Sequence, residues 1–184
     1  MPIYKEIQID LDYDFYIKQD YDGNKGQSCI AHHRVELKDI HDRFGGMPET
    51  YTYDNTEISQ LWWDKDQVDY NDLGKKLGME VITVSSIRLR PGNIIPLHRD
   101  MFYQIKKRFP NDTRPRVRAN INLEAWKNGH FIQVNHKGVP KVCSGWKQGS
   151  GHMWCTEIEH IGANCGMENK FSLQAIIRSF CFAL

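Results

Sequence analysis

The chain has 184 residues, 40% of them hydrophobic, with 24 Lys and Arg against 23 Asp and Glu and a formal net charge of +1. That length supports one sizeable core without requiring two domains, and near-neutral, dispersed charge supplies no broad field for nucleic acid or an anionic membrane. Five cysteines without C-x-x-C pairing argue against a disulfide framework, and with neither a leader pattern nor a long apolar run the expectation is a cytoplasmic protein.

Ile7, Ile9, Leu11, Tyr13 and Phe15 alternate with Gln8, Asp10, Asp12 and Asp14, the pattern of a half-buried strand, and the polar cluster from Asp20 to Gly26 ends it. Residues 40–65, with Gly45-Gly46, Pro48 and aromatics around Tyr51 and Trp62-Trp63, show no clean period and read as loops with a short helix. Asp66 to Leu77 places Val68, Leu73 and Leu77 on one helical face, with Gly78 as the stop. The β-branched run from Val81 leads a strand to Arg90, broken by Pro91-Gly92, and extended structure resumes from Ile94 to His98. Met101 to Phe109 reads as a helical insertion stopped by Pro110, a connector or a lid.

In the next strand Val117, Ala119, Ile121 and Leu123 face one way, and Arg116, Arg118, Asn120, Asn122 and Glu124 the other. Phe131 to His136 and Val139 to Cys143 form a hairpin across Lys137-Gly138. Gly149-Ser150-Gly151 turns into a strand from His152 to Ile158, and a closing strand from Lys170 to Ile177 sets Lys170, Ser172 and Gln174 on one face.

Chemistry enters with His98-Arg99-Asp100, an H-x-D pair at a strand end, and a distant His160. Two imidazoles and a carboxylate can hold one face of an Fe(II) ion and leave the opposite positions open for a co-substrate and oxygen. An H-x-D pair alone carries little information. Requiring also a later His followed by a cation at the tenth position and a hydroxyl at the twelfth lowers the chance rate to roughly one in a hundred per His. His160, Lys170 and Ser172 meet that requirement. A lysine aimed into a β-barrel is costly unless it meets an anion, and Arg118 with Asn120 can reach a dicarboxylate or an acidic substrate group from the polar face of their strand.

Other groupings compete. His152-x-x-Cys155 with His160 and Cys165 suggests zinc but lacks two tight ligand pairs. His32-His33 and His41 read as surface residues, and Trp62-Trp63 with Tyr103 as core aromatics or as a peptide contact. No phosphate loop or nucleophile elbow appears, which removes support for phosphoryl transfer and serine hydrolysis.

Through Pro96 to Asp100, Arg116 to Leu123 and Gly151 to Ser172, the chain resembles the Fe(II)- and 2-oxoglutarate-dependent oxygenases, in particular the aspartyl/asparaginyl β-hydroxylase and prolyl hydroxylase branches. The resemblance implies a mainly β, double-stranded β-helix of jelly-roll, cupin-like form with flanking helices. The resemblance covers roughly the last hundred residues and leaves the first eighty unassigned; the expectation is one oxygenase domain over residues 1–184, with residues 81–184 as the β-helix core and 1–80 as a strand and helix support region. It implies His98, Asp100 and His160 as iron ligands, Lys170 and Ser172 on the distal carboxylate of 2-oxoglutarate, and O2 as the oxidant. The implied reaction is hydroxylation of an Asp, Asn or Pro side chain, peptidyl or free, with release of succinate and CO2. Asn120 stands where the first branch has His, and Lys170 is the prolyl hydroxylase choice. Two alternatives stay open, a cupin-like metal enzyme that does not use 2-oxoglutarate and a non-catalytic β-sandwich binding module.

Overall fold

The computed structural model describes residues 4–23, 27–29 and 38–178. Among them, a seven-stranded antiparallel sheet runs in the order β1 (Tyr4–Gln8), β9 (Ser150–Cys155), β6 (Arg116–Asn122), β11 (Lys170–Arg178), β4 (Glu80–Leu89), β3 (Glu57–Trp63) and β2 (Gln27–Cys29). A four-stranded sheet, in the order β5 (Ile94–His98), β10 (Glu159–Asn164), β7 (His130–His136) and β8 (Val139–Cys143), packs across it. The flanking helices are α1 (Tyr13–Ile17), α2 (Lys38–Asp42), α3 (Tyr70–Leu77) and α4 (Tyr103–Arg108). This is the mainly β jelly roll expected from the sequence. No helix among the described residues is long and apolar enough to cross a membrane.

Strict alternation on the central strands gives the large sheet two different faces. Val84, Ala175, Ala119 and Met153 stand in line across β4, β11, β6 and β9, and with Leu173, Ile177, Val117 and Ile121 they form the main core under α1 and α3. The opposite face looks into the space between the sheets. There Ile132, Val134, Trp154 and Ile158 form a smaller apolar cluster, and the face also carries Ile87, Leu89 and Ile176 among polar residues that include Arg118, Asn120, Lys170 and Ser172.

Local chemistry sets the element ends. Asp69 caps α3 by accepting from the backbone N–H groups of Asn71 and Asp72, so the helix begins at Tyr70 and not at Asp66, and Gly78 closes it at φ 70°. The β7–β8 hairpin turns through Lys137 and Gly138 at φ 54° and 76°, the left-handed pair a two-residue hairpin needs.

Several segments differ from expectation. The alternation of residues 7–15 supports a strand only to Gln8. Asp12 then accepts from Phe15 N–H at 3.1 Å and starts α1, whose Tyr16 is buried against Trp63. Residues 57–63, expected as loop, form β3, hidden because Ser59 is a buried position while Ile58 and Trp62 lie on the more open face. The strand expected from His152 to Ile158 runs from Ser150 to Cys155. His41 is buried on α2 rather than at the surface, and His32-His33 lie outside the described residues. Cys143 and Cys165 are free thiols.

Candidate metal centre

Three elements deliver the three ligand candidates to one point. His98 ends β5 and is paired directly with His160 of β10, so both imidazoles leave the same face of the small sheet, with ring centroids 4.1 Å apart. Pro96 is tolerated in β5 because that strand is an edge. Its carbonyl lies 2.8 Å from His98 Nδ1, and the Ile158 carbonyl lies 3.1 Å from His160 Nδ1. A carbonyl can only accept, so both rings carry the proton on Nδ1 and expose the Nε2 lone pair, the arrangement that orients metal-binding histidines. Asp100 follows two residues after the strand end, with Oδ2 3.7 Å from His160 Nε2. One donor atom from each residue lies within 4.8 Å of the others, and among the described residues no other His, Cys, Asp and Glu group does so.

The carboxylate is itself held. Arg118 Nη2 donates to Asp100 Oδ1 at 2.7 Å and Trp154 Nε1 donates to Oδ2 at 2.8 Å. The Trp154 ring also packs against His160, with centroids 4.5 Å apart. Arg118 Nη1 donates to Gln174 at 3.0 Å, and its guanidinium lies over Phe102, a non-glycine residue at φ 50° between Asp100 and α4. Two arms of Arg118, expected from the sequence to meet a dicarboxylate or substrate group, are thus occupied by Asp100 and Gln174.

Burial pushes His98 down to about 3, assisted by the neighbouring His160, and lowers His160 as well. Both rings are therefore neutral and able to bind a metal at physiological pH. Burial, the largest single influence, would raise Asp100, but Arg118 together with the two neighbouring imidazoles outweighs it and keeps the carboxyl below the ordinary carboxylate range.

Beside the triad, Ile87, Leu89, Ile95, Asn120, Lys170 and Ser172 line a cavity that includes His98 and His160. Lys170 is only 6% exposed and makes no ion pair or hydrogen bond among the described residues; its Nζ lies 5.7 Å from the Trp146 ring centre. Desolvation lowers it to about 8. Ser172 is buried two residues along the same face, and Asn120 Oδ1 is a buried acceptor without a partner among the described residues. Of the expected site residues, His98, His160, Asn120, Lys170 and Ser172 line this cavity, while Asp100 is grouped with the two histidines and Arg118 meets Asp100. The zinc grouping disperses: His152 bonds Tyr4, Cys155 bonds Glu157 and Cys165 is exposed.

No protein-family model matches the chain, and no curated protein sequence matches it. Solved structures do. The structure of a Pseudomonas putida prolyl-4-hydroxylase is 16% identical with a TM-score of 0.52, covering 96% of this chain and 92% of that one. The viral collagen prolyl hydroxylase of Paramecium Bursaria Chlorella virus-1, in its 2OG complex, is 15% identical with a TM-score of 0.55 and 96% coverage of both chains. The alpha ketoglutarate-dependent epimerase SnoN from nogalamycin biosynthesis is 11% identical with a TM-score of 0.56, over 96% of this chain and 76% of that one. This chain has the fold of the 2-oxoglutarate- and iron-dependent oxygenases. Within that fold, sequence reasoning missed Trp154, Trp146 and Phe102 as neighbours of the site, because an aromatic residue on a strand announces burial and gives no sign of which polar group its ring or N–H will meet.

Proposed function

We propose that the chain is an Fe(II)- and 2-oxoglutarate-dependent hydroxylase of an amino-acid side chain. The observation that carries this reading is Lys170, a buried cation without an anion among the described residues, facing the same cavity as two pre-oriented imidazoles that Asp100 joins. Leaving a charge uncompensated in a protein interior is expensive, and a carboxylate ligand removes the expense. The donor set of two neutral imidazoles and one carboxylate suits Fe(II), and the unpartnered Asn120 oxygen lies on the same wall.

His98, Asp100 and His160 would hold the metal through two Nε2 atoms and one carboxylate oxygen. Lys170 would pair with the far carboxylate of 2-oxoglutarate while the Ser172 hydroxyl donates to it. Arg118 and Trp154 hold Asp100 so that its charge stays on the metal side, and the apolar walls Ile87, Leu89 and Ile95 exclude water. When bound, iron and 2-oxoglutarate supply oxidation of a substrate C–H bond by O2, one oxygen atom entering the product and the other entering succinate as CO2 leaves. Asp100 occupies the ligand position that a halogenase of this fold must leave vacant for halide, which favours hydroxylation.

For the substrate, Asp, Asn and Pro side chains in peptides or free amino acids are the first candidates, and two fold neighbours are prolyl hydroxylases. The test is succinate release with Fe(II), O2 and 2-oxoglutarate, stimulated by one of these substrates and accompanied by its gain of one oxygen atom. Iron-dependent turnover of a substrate without any need for 2-oxoglutarate would instead support a cupin-like enzyme.

A further inference from the structure

The face that carries the site continues beyond it, and its far end is open. Cross-strand pairing puts Trp62, Ser85, Gln174 and Asn120 in one line across β3, β4, β11 and β6, all on the inward-looking face. The adjoining line runs Thr83, Ile176, Arg118 and Trp154, and ends on the two residues that hold Asp100. At the Thr83 end a groove of about 380 Å³ opens between β3 and α4, lined by Trp62, Thr83, Gln104, Ile105, Lys107 and Arg108. It belongs to none of the chemistry described above.

Its two walls differ in kind. Trp62 is 54% exposed on one side, while its neighbour Trp63 is in the core. On the other side α4 is anchored by Phe102 and Ile105 against Ile176, and presents Lys107 and Arg108. Neither cation forms a salt bridge among the described residues. Cations in a last helical turn favour the helix dipole wherever they point, but here they line a groove with an exposed indole, with Thr83, Gln104 and Ile105 completing the lining. A carboxylate-bearing chain with an apolar side chain matches both walls, since acidic groups pair with Lys and Arg and the indole offers a flat apolar surface.

We propose that this groove is a subsite for an acidic, extended polypeptide segment of the substrate, its carboxylates on Lys107 and Arg108 and a neighbouring apolar side chain against Trp62. The inference rests on the hydroxylase reading and names its substrate class as a protein or peptide. Strands lie about 4.8 Å apart, so Thr83 stands roughly 10 Å from Arg118, and an extended chain covers that in about three residues. The α4 helix follows Asp100 by three residues, so a segment held there is registered against the metal ligands by the same stretch of backbone.

Calorimetric titration of the full metal-free chain with three peptides of equal length tests this: one rich in Asp and Glu, its Asn and Gln counterpart, and one rich in Lys. The acidic peptide binds most tightly and weakens with added salt. Joint Lys107→Glu and Arg108→Glu substitution weakens it about tenfold and transfers preference to the Lys-rich peptide. Trp62→Ala weakens all three, and Lys106→Glu, off the groove, has little effect. Equal binding of the acidic and amide peptides would overturn the proposal, as would a Lys106→Glu loss matching the double variant or single-stranded DNA binding as tightly as the acidic peptide. Because the titration needs neither iron nor 2-oxoglutarate, a preference without turnover sinks the hydroxylase reading alone. Turnover without a preference sinks the subsite alone.

Discussion

On β6 and β11, the side chains directed at the helices are Val117, Ala119, Ile121, Leu173, Ala175 and Ile177, all buried in the main core. Those directed at the small sheet include Arg118, Asn120, Lys170, Ser172 and Gln174, on the same two strands and nearly as well buried. The first face stabilises the fold by removing apolar surface from water. The second costs stability, because its polar atoms lose water without finding a full set of partners. A chain retains such a face when something outside the chain completes it. Substitutions on the two faces are therefore expected to have opposite signatures.

The largest effect falls on the metal. His98→Ala, Asp100→Ala and His160→Ala each abolish iron-dependent turnover and iron binding by calorimetry while leaving the cooperative unfolding transition in place, since three protein ligands are the minimum for a facial site. Leu173→Ala, on the other face of β11, does the reverse. It costs about 2–5 kcal/mol of stability in urea and leaves iron affinity unchanged. If the His160 variant retains full activity, the triad is misassigned.

Lys170→Met sharpens the contrast further. Its removal raises the apparent KM for 2-oxoglutarate by 100-fold or more, in line with about 3–5 kcal/mol for breaking a desolvated charge pair. The same change stabilises the ligand-free protein by up to about 3 kcal/mol, because a lysine that falls from 10.5 to about 8 on folding is charged at a cost. The sign in pH follows. Between about 8 and 10.5 the unfolded chain holds a proton that the folded chain has lost, so stability rises with pH across this window. Affinity for 2-oxoglutarate runs the other way, level below about 8 and falling above it. Thermal unfolding and calorimetry over pH 7–10 distinguish the two trends, and parallel trends would remove Lys170 from the co-substrate site.

Arg118→Met is expected to weaken iron about 10–100-fold, the usual range for a group that orients a metal ligand, with partial recovery in Arg118→Lys. Loss of 2-oxoglutarate binding with iron affinity intact would reassign the guanidinium to the co-substrate. The smallest effect is Ser172→Ala, one hydrogen bond to a charged group, raising the KM for 2-oxoglutarate about tenfold without altering iron affinity.

Much of this was legible in the chain itself. The alternation of Arg116 to Leu123 set the two faces, and the spacing of His160, Lys170 and Ser172 singled out the residues that surround the cavity. The N-terminal segments were harder. Tyr13 to Phe15 fit either period until Asp12 capped a helix, and β3 carries serine on its buried side, where side-chain chemistry does not signal burial. The burial of His41 is not legible either, because a lone histidine carries no signal of its environment. The occupation of Arg118 by Asp100 and Gln174 was also out of reach, since it depends on β5, β6 and β11 meeting from distant parts of the sequence.

The central claim is that one cavity holds both iron and 2-oxoglutarate, and an anaerobic titration of the purified chain with Fe(II) followed by 2-oxoglutarate tests it most directly. A weak visible charge-transfer band that appears only when both are present, and is lost in His160→Ala and Lys170→Met at limiting 2-oxoglutarate, is the expected result. No band in the parent chain at saturating iron and 2-oxoglutarate, or a band unaffected by either substitution, would contradict the account.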